Sequence, residues 1–209
     1  MTLFRKLAST ITLTFGLMAS AQAAIIFSDN FDSENGGTGV LNYNSFANWS
    51  VTSGTVDLIG NGYFDFFPGK GLYIDLDGST NNAGIMGRLE TLLAGDYTLS
   101  FSLAGNQRDN AGETTDVGVS VLAGSVIAQQ SYSLNKNDGF TNYSIDFSIS
   151  DLLAPAEIQI TFGALSNDNI GMLLDDVVLE QRVAVAEPAS LALLGMGLLG
   201  LAAVRRTKV

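Results

Sequence analysis

Between residues 24 and 182 the chain repeats one pattern. Apolar and polar residues alternate over short stretches, with Gly, Asn, Asp and Ser between them. The clearest case is GDYTLSFSL at 95–103, where Tyr97, Leu99, Phe101 and Leu103 alternate with Thr98, Ser100 and Ser102. A period of two puts successive side chains on opposite faces of a strand, one towards a core and one towards water. The same reading predicts strands at 25–28, 49–59, 71–76, 85–92, around 117–121, and at 126–134, 143–149, 158–162 and 172–179. No helix is predicted between the two apolar ends. About ten strands separated by polar turns predict an all-β fold, an antiparallel jelly-roll β-sandwich.

The two ends break the pattern. Arg5 and Lys6 precede an apolar stretch at 7–19, and Ala21-Gln22-Ala23 follows as an A-x-A cleavage site. This reads as a secretory signal peptide at 1–23, removed after Ala23 by signal peptidase. A first transmembrane helix is the other reading, disfavoured by the short run and its small-residue end. At the far end a polar tripeptide, Ala186-Glu187-Pro188, precedes an uncharged apolar run at 189–204 and a basic tail with Arg205, Arg206 and Lys208. As a helix the run spans roughly 24 Å, short of the ~30 Å hydrocarbon core, and snorkelling basic side chains extend it. The predicted layout is therefore signal peptide, exported domain 24–182, linker 183–188, transmembrane helix 189–204 and a cytoplasmic tail 205–209.

The tripeptide, the Leu/Gly/Ala run and the terminal arginines together resemble the PEP-CTERM sorting signal of Gram-negative bacteria. The resemblance implies a temporary anchor in the cytoplasmic membrane. It also implies cleavage near the tripeptide by an exosortase-type membrane protease, and release towards the cell surface or extracellular matrix. The family pattern is Pro-Glu-Pro, and here Ala186 holds the first position. An ordinary C-terminal tail anchor is the alternative.

Composition narrows the chemistry. The exported domain has 5 basic and 20 acidic residues, a net charge of −15. Such a surface repels nucleic acid and anionic headgroups and suits divalent cations. With no Cys and no His in the chain, disulfides and His- or Cys-dependent nucleophilic catalysis are excluded within it. The Gly-rich phosphate loops are also missing.

Three acidic stretches remain: Asp29-Asn30-Phe31-Asp32-Ser33-Glu34 after the first strand, Asp175-Asp176 in the last, and Asp75 and Asp77 before Gly78. With Trp49, the GDYTLSFSLAGN segment and the closing GMLLDDVVLE, they resemble galactose-binding-like jelly rolls, which include many carbohydrate-binding modules. The resemblance implies adjacent first and last strands, with Asp32 and Asp175 or Asp176 holding a structural calcium ion between them. Calcium takes six to eight oxygen ligands, which carboxylates and carbonyls supply; the alternative is solvated turn carboxylates. Asp77-Gly78 reads as a hairpin turn.

A second candidate is the loop GNGYFDFFPG. Tyr63 and Phe64 are its candidate ligand-binding residues, because aromatic faces stack on sugar rings. Asn61, Gly62 and Gly69 give the loop freedom to project. The competing reading is packing at the edge of the core, where Trp49 is also expected. The expected function is non-catalytic, binding extracellular polysaccharide or building matrix without a glycan ligand. The third reading is a glycoside-active enzyme, which needs two converging carboxylates.

Overall fold

Eleven strands form where the alternation is strongest: β1 (Ala24–Asp29), β2 (Ser50–Ser53), β3 (Asp57–Gly60), β4 (Leu72–Asp75), β5 (Ile85–Leu92), β6 (Gly95–Ala104), β7 (Glu113–Val121), β8 (Val126–Leu134), β9 (Thr141–Ile149), β10 (Ala156–Ala164) and β11 (Leu173–Arg182). They come from a computed structural model that describes residues 23–80, 82–108, 113–121, 124–165 and 168–182. The predicted signal helix and the 189–204 helix lie outside the described residues. Among the described residues no helix is long and apolar enough to cross a membrane.

The strands make two antiparallel sheets. One runs β3-β4-β11-β6-β9, with β1 also paired to β11; the other runs β2-β5-β10-β7-β8. The first and last strands thus lie side by side, Ala24 opposite Gln181 and Asp29 opposite Val177. Strand β11 serves two partners along one edge, β4 at Leu173 and Leu174 and β1 from Val177 onwards. A bulge between Asp175 and Val178 separates them, and Asp176 there has φ 50°. The extra residue of a bulge re-aims side chains, which lets both Asp175 and Asp176 meet one partner, described below.

The core lies between the sheets, with Leu99, Phe101 and Leu103 of β6 facing Val117, Val119, Ile158, Ile160 and Phe162. Trp49 is buried in it, edge-on to Phe27 and Phe162, and donates its indole N–H to Asp29 Oδ2 at 3.1 Å. A smaller cluster lies on the opposite face of the six-stranded sheet, where Ile59, Tyr73, Ala104 and Leu173 alternate with core-facing Leu58, Leu72, Leu103 and Leu174. Phe66, Phe67 and Phe140 cover it.

Two local predictions are corrected. The stretch 49–59 is two strands in different sheets. The chain turns at Gly54, whose φ is 60° and where a Cβ would run into the Ala83 carbonyl. Asp77-Gly78 is not a hairpin turn either, because β4 and β5 belong to different sheets.

Candidate functional site

The loop between β3 and β4 begins with an Asn-Gly pair. Asn61 and Gly62 have φ 51° and 83°, and Gly60 and Tyr63 exchange two backbone hydrogen bonds of 2.8 and 2.9 Å. Two central residues with positive φ make the type I′ turn that matches strand twist, for which Asn-Gly is the preferred pair. That pair was the readable signal of a fixed tip in place of a free loop.

Beyond the tip the loop folds back. Asp65 accepts from Gly62 N at 3.1 Å and Phe67 N at 3.2 Å. The Tyr73 hydroxyl accepts from Phe66 N at 2.7 Å and Phe67 N at 3.2 Å, and donates to Asp65 Oδ1 at 3.3 Å. Burial pushes the Tyr73 phenol up to about 12, against the lowering pull of those two N–H groups. Tyr73 is therefore a peg on β4 that fixes the loop, and the sequence reading gave it no such role.

The four aromatics divide accordingly. Phe66 and Phe67 pack over the small apolar cluster, Phe67 with its ring 4.9 Å from Phe140 and 6.1 Å from Tyr73. Tyr63 and Phe64 face outwards, 37% and 55% exposed, edge to face at 5.0 Å. Phe64 has φ 45°, a left-handed conformation that costs a bulky residue about 1–3 kcal/mol. The loop holds that ring outwards against its backbone preference. Next along it, Phe66, Phe67, Gly69, Lys70 and Phe140 line an open depression of about 500 Å³.

Lys70 also decides what the late acidic pair does. Its ammonium lies 3.0 Å from Asp175 Oδ2 and 2.5 Å from Asp176 Oδ2. Burial alone would lower the lysine pKa, but hydrogen bonds to Asp176 and Asp175 more than offset it and leave it raised. Asp175 is 1% exposed, and burial pushes its carboxyl up to about 6 although Lys70 and the Asp176 N–H pull it down. Asp32 is engaged elsewhere, accepting from Leu72 N at 2.8 Å and Asn30 Nδ2 at 2.8 Å. Among the described residues no three acidic side chains converge to hold a metal ion. Lys70 thus brings a positive charge to both Asp175 and Asp176, the residues read from the sequence as calcium ligands.

Asp75 and Asp57 are similarly engaged. Asp75 pairs with Arg108 and accepts from Gly171 N at 2.8 Å and Asp77 N at 3.1 Å. Burial drives its carboxyl well above the usual range, against Arg108. Asp57, opposite Asp75 in the ladder, accepts from Asn42 N and Ser79 Oγ, both at 2.7 Å. A second, smaller depression, about 140 Å³, lies on the five-stranded sheet where Gly118 sits between Thr161 and Gln129; no aromatic lines it.

Of the sorting residues, only Ala23 is described, exposed just before β1. Ala186, Glu187, Pro188, Arg205 and Arg206 lie outside the described residues.

Among solved structures, the chain is similar to a structure titled for CBM4 (12% identity, 75% of this chain and 86% of that one, TM-score 0.44). It is also similar to the C-terminal family 22 carbohydrate-binding module of Clostridium thermocellum Xyn10B (12%, 78% and 97%, 0.46). A third is TmCBM61 in complex with β-1,4-galactotriose (18%, 66% and 90%, 0.45). At these identities the likeness concerns the fold alone. No curated protein matches the chain. Residues 184–206 carry the PEP-CTERM protein-sorting motif, which indicates an exported protein processed at the membrane. Residues 27–180, most of the chain, match the family described as "Protein of unknown function (DUF642)", and the chain belongs to that family.

Proposed function

We propose that this exported protein is a non-catalytic glycan-binding module, delivered to the cell surface or extracellular matrix after an exosortase-type protease cuts near Ala186-Glu187-Pro188. The observation that carries the reading is the Tyr63–Phe64 pair. A hydrogen-bonded turn holds two exposed aromatic rings outwards, one of them in a conformation that its backbone disfavours. Aromatic faces are the usual contact for sugar rings, supplemented by a few polar groups. The non-catalytic reading is supported by the acid pairs. Asp57 and Asp75 are tied to loops and Arg108, and Asp175 and Asp176 to Lys70, so neither pair is arranged to flank a sugar bond.

The test is a glycan array with the wild type and the Tyr63→Ala/Phe64→Ala double variant. Both rings are exposed, so the double variant keeps its melting midpoint within the small range of surface substitutions, roughly 0.5 kcal/mol, and loses binding. Phe64→Gly relieves the left-handed strain and raises the midpoint. Retained binding in the double variant, or its unfolding, would overturn the reading.

A further inference from the structure

A sandwich has sheet edges, and each is a row of unpaired N–H and C=O groups that another strand can join. Most edges here are blunted. On β3, only four residues long, the outer edge is covered by Val40, which exchanges hydrogen bonds of 2.7 and 3.0 Å with Leu58. β2 is also four residues and bulged. β1 carries a bulge near Ile25 and ends in Asp29. β9 is long but bears Asp146 near its middle, paired with Arg182.

β8 is different. Its nine residues, VIAQQSYSL, include no charge, no proline and no glycine. It pairs with β7 on one side and ends the five-stranded sheet on the other; its one irregularity lies at its start, between the residues facing Val119 and Ser120. We propose that β8 pairs antiparallel with β8 of a second copy of this chain, joining two five-stranded sheets across a two-fold axis. The occupant follows from the sequence of the edge itself. Full overlap of 126–134 with its copy sets Gln130 opposite Gln130. On the same face Ala128 then meets Tyr132, a small residue against a large one, while the bulge turns Val126 to the other face, opposite Ser120. On the other face Gln129 meets Ser131. No register brings like charges together, because the strand has none, and like charges directly opposite are what destabilise a ladder. The long-range term opposes association, since each exported domain carries 5 basic and 20 acidic residues. Pairing is therefore weak at low salt and strengthens as salt screens the repulsion. Among the described residues each copy has one such edge, so the assembly closes at two. This pairing is independent of any glycan.

The experiment is analytical ultracentrifugation of the exported protein over a concentration series at about 0.05 M and 0.5 M salt, with hydrogen exchange followed across β8. The expected result is a mass rising with concentration towards twice the monomer, at lower concentration in high salt, with exchange protection gained at 126–134. Gln130 is exposed at the strand's midpoint, so Gln130→Lys and Gln130→Glu each set like charges across the axis. Both shift the dimer to at least tenfold higher concentration, whichever the sign. A concentration-independent mass, growth beyond twice the monomer, protection gained elsewhere, or unchanged association in both variants overturns the proposal. Should a variant fail to fold, the exchange pattern of the wild type still decides.

Discussion

Acidic side chains tie the loops of this domain to its strands. Asp29 holds the Trp49 indole, Asp32 the Leu72 N–H, Glu34 the Ala47 N–H at 3.0 Å and Asp57 the Asn42 N–H. Each such bond is worth on the order of 1 kcal/mol net. Two acids stand apart because burial raises their pKa: Asp75, and Asp175 to about 6. A carboxyl unfolded near ~3.9 and folded near 6 binds an extra proton in the native state between those values. Its contribution is therefore present at the acid side and lost as pH rises through the folded value. The melting midpoint is expected to fall between about pH 4.5 and 7. Asp175→Asn removes this titration and flattens the slope, by on the order of 2 kcal/mol across the window. General relief of acidic repulsion acts equally on both proteins, so their difference is the readout. Parallel slopes from calorimetry at matched ionic strength would sink the assignment.

Among the elements, the β3–β4 loop depends most on one distant group. Tyr73→Phe keeps the ring against Phe67 and Phe140 but removes the hydroxyl that Phe66 N and Phe67 N donate to. Phe67 N retains Asp65; Phe66 N loses its acceptor. Leaving a half-buried N–H unpaired costs about 1–3 kcal/mol, a few degrees in a domain of this size. Hydrogen exchange is expected to quicken across 63–70 and, under the glycan-binding proposal, affinity to fall, while an unchanged loop would remove Tyr73 as its peg. Nothing in the local sequence shows this, because the bond joins a loop to a side chain on the outer face of the sheet. The strands were legible where both faces are marked: β6 and β9 carry the alternation read at 95–103 and 143–149. The split of 49–59 was not, since a period-two pattern records which side is buried and not which sheet a strand joins. Lys70 meeting Asp175 and Asp176 was unreadable for a related reason: sequence shows acids close in the chain, but not which cation the fold brings to them. Tyr63 and Phe64 were legible as candidates. What separates them from Phe66 and Phe67 is the outer-face cluster, which exists only once four strands lie side by side.

At the scale of the whole domain, the first and last described strands close the fold together. Ala24 is opposite Gln181 in the β1–β11 ladder, so these two strands lie side by side. That ladder closes the fold without a disulfide, and it ends by Arg182, before the tripeptide at 186–188. Cleavage near Ala186 removes no residue of β11. The released protein is therefore expected to begin near Ala24, end near Ala186 and melt as the uncut domain does. Mass spectrometry of surface-released material checks both ends, and recovery of Arg205 and Arg206 there would show that the tail is not cut. Ala186→Pro restores the first residue of the Pro-Glu-Pro pattern. It lies beyond the last strand, so it leaves the midpoint unchanged and raises the released fraction if recognition of the tripeptide limits release. Equal release from both proteins would place the limiting step elsewhere.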